Sequence, residues 1–348
     1  MWSENEYCIK VHRHVRCSTI VKYGLLVART ENIGDYIQSI AAKQFLPRVD
    51  IYLDRDNLKD IKYTNDRIKV IMNGWFTDRP KKWLPSRVIE PLFLGFHISP
   101  HIAWRFLRRE VIEYLKQYEP IGCRDIWTMR LLNHFGVKAY FSGCLTLTLD
   151  YKYSVPEREE KIVIIDLDPS LKRYIDLYGN IEIKELSHYI VKPVSPQIVR
   201  VMSSRIVKSA RAKNSFIRYV GSLLGETLFS IIDLRRAEKM SLEMRFKMAE
   251  AIILEIASAK LVITSRLHAV LPSLAFKTPV IFVHPNPTDP RFSGYQEYIP
   301  MFCPPHRFKR CIAEIDISNP SPPPNFDRLQ ELKRNLIATV KNFLELGS

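Results

Sequence analysis

The chain has 348 residues, 46% hydrophobic and 26% charged, a globular balance that excludes a disordered chain and gives enough length for two cores. Lysine and arginine outnumber aspartate and glutamate by 52 to 37, a formal charge of +15 that favours anionic partners: phosphorylated substrates, acidic glycans, nucleic acid or anionic lipid. No run of about 18 uncharged apolar residues is present, which excludes a transmembrane helix, although peripheral membrane contact stays open.

Short apolar runs alternate with amphipathic ones in chain order, the pattern of a parallel α/β protein. The run predicts strands at Tyr23–Ala28, Ile68–Met72, Leu92–His97, Ile121–Cys123 and Val137–Phe141. Between them it predicts helices at Asp35–Phe45, Ile102–Tyr118 and Asp125–Phe135, the last stopped by Gly136. The polar stretch Asp150–Lys161 reads as a linker. Alternation resumes with strands at Ile162–Ile165, Leu261–Thr264 and Val280–Val283, and helices at Ile206–Leu224, Leu242–Ala257 and Arg266–Phe276. The run Asn319–Asn325, NPSPPPN, can be neither helix nor central strand, so it forms a strap before a final helix, Phe326–Leu346. The expected division is residues 1–155 as an N-terminal Rossmann-like domain, 156–318 as a C-terminal one, and 319–348 as strap and helix. In such sheets ligands sit at the carboxyl ends of strands, where helices begin.

Three such junctions carry reactive side chains. At Asn32-Ile33-Gly34-Asp35, Gly34 permits a tight turn, and Asp35 is placed either as a helix N-cap alone or as a carboxylate able to accept a hydroxyl proton. At Cys123-Arg124-Asp125, Asp125 caps the helix and Arg124 stands at a helix start, where free N–H groups already favour an anion. At Ser265-Arg266-Leu267-His268, Ser265 is expected as the N-cap, with Arg266 and His268 in the first turn. A cation and an imidazole there oppose the helix dipole at the end of a buried strand, and such broken rules concentrate at functional sites.

These junctions, together with Asn73-Gly74-Trp75 after the second predicted strand and Asp289-Pro290-Arg291-Phe292 near the C-terminal end, resemble the polysaccharide pyruvyl transferases in kind and order. Many relatives have Gly-Gly where this chain has Asn73-Gly74, a departure that bears on the acceptor side. The resemblance implies two Rossmann-like domains in a GT-B-like arrangement, with the terminal helix packing back across both. It implies a transferase that moves the pyruvyl group of phosphoenolpyruvate onto two hydroxyls of a sugar, with phosphoenolpyruvate as co-substrate and no further cofactor or metal. On that reading Arg124, Arg266, Ser265 and Arg291 bind the donor, His268 is the general acid and Asp35 the base. Asn32, Asn73 and Trp75 face the acceptor on that same reading.

Other signals are weighed against this. Six scattered cysteines in a chain this large are expected as reduced thiols in a cytoplasmic protein. Cys8, His12, His14 and Cys17, and likewise Cys303, His306 and Cys311, lack the spacing of a standard zinc site. The charged N-terminal stretch lacks a secretory apolar core. Trp75, Phe76 and Trp83 suit either sugar stacking or a buried cluster. Basic pairs such as Lys81-Lys82 and Arg108-Arg109 occur without aromatic-interleaved or helix-turn-helix patterns, so nucleic acid is not an expected partner. The competing readings are a nucleotide-sugar glycosyltransferase of GT-B type and a catalytically silent glycan-binding relative. The acceptor sugar and the oligomeric state are not legible in the sequence.

Overall fold

The computed structural model describes residues 21–30, 32–61, 67–76, 79–154, 157–166, 228–232, 241–314, 316, 321 and 323–345. The expected helix at 206–224, the Cys8 to Cys17 cluster and parts of the linker and strap lie outside them. Two sheets form, and every strand pairing in both is parallel.

The first sheet holds β1 (Val21–Val27), β2 (Ile51–Asp54), β3 (Arg67–Trp75), β4 (Ile89–His97), β5 (Ile121–Cys123) and β6 (Ala139–Phe141), in the order β2-β1-β3-β4-β5-β6. The second holds β7 (Glu159–Ile165), β8 (Leu228–Ile232), β9 (Ala259–Thr264), β10 (Val280–Val283) and β11 (Met301–Cys303), in the order β11-β10-β9-β7-β8. Strands β2, β8 and β11 escaped the sequence reading, β2 and β11 because each offers only three apolar positions.

Helix α1 (Ile33–Lys43) follows β1. Ile33, Ile37, Ile40 and Ala41 fall on one face by helical spacing and are buried. Lys43 in its last turn suits the negative end of the helix dipole. The expected long helix at 102–118 is broken into α2 (Ala103–Phe106) and α3 (Arg109–Lys116). Arg108 interrupts it with an extended backbone, and its Nη2 donates to the Pro80 carbonyl at 3.1 Å. Helix α4 (Ile126–His134) follows β5.

In the second half, α5 (Leu242–Ser258) precedes β9, and α6 (Leu267–Ala275), containing Pro272, follows it. A short helix α7 (Phe308–Ala313) follows β11, and α8 (Phe326–Glu345) ends the described chain. The faces of α1, α5 and α6 meet in one apolar cluster that includes Ile37, Ile253 and Leu271. Each such fully buried aliphatic side chain contributes about 2 kcal/mol of burial.

Helix α8 packs back across both sheets. Lys333 donates from Nζ to Asp150 Oδ2 at 2.5 Å and to the Ala275 carbonyl at 3.1 Å, while Lys69 reaches the Phe343 carbonyl at 2.5 Å. Two parallel α/β sheets are thus bridged by a terminal helix. Cys303 and Cys311 are joined in a disulfide with their Cα atoms 6.2 Å apart, which corrects the expectation that every thiol is reduced. Cys123 and Cys144 are free and buried. Among the described residues no helix is long and apolar enough to cross a membrane.

Candidate functional site

The carboxyl ends of strands from both sheets converge on one cleft. After β1 come Thr30, Asn32 and Asp35; Trp75 and His97 end β3 and β4; Arg124 follows β5. From the second sheet Arg266 and His268 follow β9, and Asn286, Asp289 and Arg291 follow β10. All of these line a single cavity of about 660 Å³. A smaller recess of about 160 Å³, lined by Asp166, Ser265, Arg266, His284 and Arg291 among others, lies at the same strand ends of the second sheet.

At the first junction the cap is Asn32, not Asp35. The Asn32 side chain accepts from the Gly34 amide at 3.0 Å, and Asp35 lies within the first turn. That frees the Asp35 carboxylate: Thr30 donates to Oδ2 at 2.8 Å, and Arg55 donates from Nη1 to Oδ1 at 3.2 Å. Burial works against its ionisation, but the Arg55 charge and the Thr30 hydroxyl hold the carboxyl below its usual range. Arg55 is itself buried and lies over the Trp75 ring, 5.8 Å from its centroid.

At the second junction Asp125 caps α4 as expected, accepting from the Thr128 amide at 2.8 Å. Its other carboxylate oxygen lies 2.6 Å from His97 Nδ1, both side chains being buried. This pairing fixes the proton on Nδ1 and orients a ring that lines the cleft. Burial and the Arg124 charge push His97 down to about 4 although Asp125 opposes them. Arg124 is buried, and its Nε finds no acceptor.

At the third junction the helix starts one residue later than expected, with Arg266 in the cap position. Thr264 is the reason. Its hydroxyl accepts from the Arg266 amide at 3.0 Å and donates to the Ile165 carbonyl at 2.8 Å, which holds the chain extended past Ser265. Ser265 is therefore no cap, and it lines the small recess and not the main cleft. Arg266 Nε is ion-paired with Asp166 at the end of β7, while its Nη2 has no acceptor.

His268 lies between the two halves. Gln38 of α1 donates toward its ring, with Nε2 against His268 Nε2 and 3.2 Å from Nδ1. A Cβ at Gly34 would stand 3.2 Å from His268 Cβ and Nδ1, so this glycine lets α1 approach the imidazole. Burial, then the charges of Arg124, Arg55 and Arg291, push His268 down to about 3 against the pull of Asp35. Arg291 makes a two-pronged pair with Asp289, at 2.9 and 2.7 Å, and is 47% exposed.

Of the residues singled out in the sequence, Asp35, Asn32, Trp75, Arg124, Arg266, His268 and Arg291 are brought together. Asn73 is not. It is buried at a bulge in β3, with its amide donating to the Gln38 carbonyl at 3.1 Å, and so supports α1 instead of facing a ligand. Phe76 and Trp83 belong to a buried aromatic cluster with Phe93, Phe96 and Phe106, which settles the choice left open for them. Thr30, Gln38, Arg55, His97 and Asp166 were missed. His97 and Asp166 directly end or follow strands, a position that would have flagged them. Gln38 and Arg55 gave no local signal. Among the described residues no three His, Cys, Asp or Glu side chains gather as a metal site.

A family profile described as polysaccharide pyruvyl transferase matches residues 32–286, a span that starts at the Asn32 cap and ends at Asn286 in the cleft. The chain belongs to this family. It is therefore a transferase with a sugar or polysaccharide acceptor. Among curated proteins none matches the chain. Solved structures similar to this pyruvyl transferase family member include a Klebsiella pneumoniae protein of uncharacterized function, at 12% identity and a TM-score of 0.40 over 81% of this chain and 92% of that one. The wall teichoic acid polymerase TagF aligns at 9% identity and a TM-score of 0.34, over 93% and 89%. The E. coli heptosyltransferase WaaC with ADP aligns at 15% and 0.22, over 77% and 88%.

Proposed function

We propose that the chain transfers the pyruvyl group of phosphoenolpyruvate to two hydroxyls of a glycan, as a ketal, in the cleft between the two sheets. The observation that carries this reading is that Arg124, from one half, and Arg266 and Arg291, from the other, line one cavity, with buried donors of its walls left unpaired. Arg124 Nε, Arg266 Nη2 and Trp75 Nε1 all lack acceptors, and buried donors of this kind demand a partner. A small molecule bearing a carboxylate and a phosphate close together suits guanidinium groups arriving from both halves. Arg124 takes one anionic group, and Arg266 with Arg291 takes the other beside the small recess.

In this reading His268 gives a proton to the methylene carbon of the donor, which leaves positive charge at the carbon bearing the phosphate. A sugar hydroxyl adds there and its proton passes to Asp35. Phosphate then departs with its electron pair and takes up a proton, and a second hydroxyl adds and loses its own, closing the ketal. His268 is neutral without ligand because burial and the arginine charges disfavour its proton. The donor's negative charges offset those arginines, so binding itself raises the imidazole toward its working range.

Phosphate release from phosphoenolpyruvate with a panel of sugars tests the reading, beside thermal shifts with nucleoside diphosphates. Acceptor-dependent phosphate release is expected. Stabilisation by UDP or GDP with none by phosphoenolpyruvate would overturn it in favour of a nucleotide-sugar glycosyltransferase.

A further inference from the structure

A second concave surface lies outside the cleft on the N-terminal half. It is a groove of about 700 Å³ lined by Arg79, Pro80, Lys81, Lys82, Trp104, Arg105 and Arg108. Trp104 is 71% exposed, an extreme value for so large an apolar ring, and Arg105 sits over it with its guanidinium 4.7 Å from the ring centroid. Lys82 pairs with Asp60 at 3.5 Å and Arg108 with Glu110 at 3.1 Å. Arg79, Lys81 and Arg105 have no carboxylate partner among the described residues, so the groove is strongly positive.

The groove and the cleft are lined by neighbouring residues of one segment. Pro100 and His101 line the cleft, and Trp104 and Arg105, three to five residues on, line the groove. Three residues of chain span at most about 11 Å, so a ligand that extends a few sugar units beyond the cleft is long enough to reach these cations. Two chemistries suit cations beside an exposed tryptophan: an acidic glycan and an anionic bilayer. Bilayer binding favours protruding apolar anchors, yet among the described residues the other exposed large apolar ones, Tyr52, Phe135, Tyr140, Tyr151 and Leu254, lie outside this groove. A concave channel with one aromatic platform instead suits a chain of sugar rings, whose apolar faces stack on indole while their acidic groups meet the cations.

We propose that this groove binds an acidic stretch of the acceptor glycan, with a sugar ring on Trp104 and its carboxylates held by Arg79, Lys81 and Arg105. The proposal rests on the pyruvyl transfer reading for what occupies the cleft. It specifies the acceptor as a polymer that already carries negative charge when it reaches the reaction site.

The test uses the full chain with a hexameric oligogalacturonate and the same oligomer fully methyl-esterified, which has the same backbone without charge. Calorimetry and tryptophan fluorescence should show the acid form binding about tenfold tighter, an advantage that shrinks as salt rises. Trp104→Ala and the triple variant Arg79→Ala/Lys81→Ala/Arg105→Ala should each lose about tenfold in affinity for the acid form, with the thermal midpoint unchanged because all four side chains are exposed. Equal binding of both oligomers would overturn the proposal, as would full affinity in the variants. So would binding of phosphatidylserine-containing vesicles through these residues with no binding of the oligomer. Phosphoenolpyruvate binding, followed by equilibrium dialysis, separates the two readings: its absence with oligomer binding intact removes the pyruvyl reading and leaves the groove.

Discussion

On the first-sheet wall of the cleft, Asp35 and Arg55 are 7% and 4% exposed in their side chains and bonded to each other, and Asp125 holds His97 with both nearly sealed. On the second-sheet wall, Arg266 and Arg291 are 28% and 47% exposed and paired with Asp166 and Asp289. The first arrangement is fixed by folding, because separating a buried ion pair leaves a charge without solvent. The second can be exchanged. An incoming anion replaces one carboxylate with another at the same arginine, at little cost in an open site. On the proposed reading, the base Asp35 and one donor clamp, Arg124, stand on the rigid wall, and the second clamp, Arg266 with Arg291, stands on the adjustable one, with His268 between them.

The largest expected effect tests that middle position. His268→Ala should lower turnover by about a thousandfold, within the usual range for losing a general acid, and leave phosphoenolpyruvate affinity within about threefold. Phosphate release and equilibrium dialysis measure the two, and turnover close to wild type would remove His268 from the chemistry.

The rigid wall is tested next. Arg55→Met leaves the Asp35 carboxylate buried without its main cation and should cost about 3 kcal/mol in urea denaturation. The matched change Arg291→Met should cost less than about 0.5 kcal/mol, since its pair is half-exposed. Equal losses would erase the distinction between the walls. Arg266→Lys then probes the adjustable side. Because an ammonium cannot form the two-pronged contact, donor affinity should fall about tenfold to thirtyfold with stability nearly unchanged. A stability loss without an affinity loss would make Arg266 a structural partner of Asp166 only.

The adjustable wall was the more legible in the sequence. Arg266 and His268 broke helix-start preferences within one short segment, so local chemistry exposed them, while Arg291 was legible only through the family resemblance. The rigid wall depends on long-range pairing. Arg55 lies 20 residues from Asp35, and Gln38 lies 230 residues from His268; no periodicity relates such positions. Asp125 shows the same limit from another side. Its capping role is written in the local pattern, but its second bond to His97 exists only once β4 and β5 are paired. The late start of α6 likewise depends on Thr264 reaching the Ile165 carbonyl of β7, which the sequence around Ser265 does not contain.

The smallest expected effect separates the two histidines by their response to pH. Both have folded pKa values below the ordinary 6.5, about 4 for His97 and about 3 for His268. Below pH 6.5 the unfolded chain takes up protons that the folded imidazoles refuse, so stability falls as pH drops. Each ring should account for roughly 1 kcal/mol between pH 7 and 5.5, since both stay unprotonated in the folded chain over that window. Asp35 does not enter, because its carboxyl titrates below this window in both states. Saturating phosphoenolpyruvate should flatten the His268 part the more, since donor charge relieves the three arginines, Arg124, Arg55 and Arg291, that with burial hold that ring neutral, while His97, held down by burial first and by Arg124 second, responds less. Denaturation curves at pH 7 and 5.5, with and without donor, for wild type and for His97→Gln and His268→Gln, resolve the two shares. A donor effect that persists in His268→Gln and disappears in His97→Gln would reverse the assignment, making His97 the ring that takes up the proton on binding.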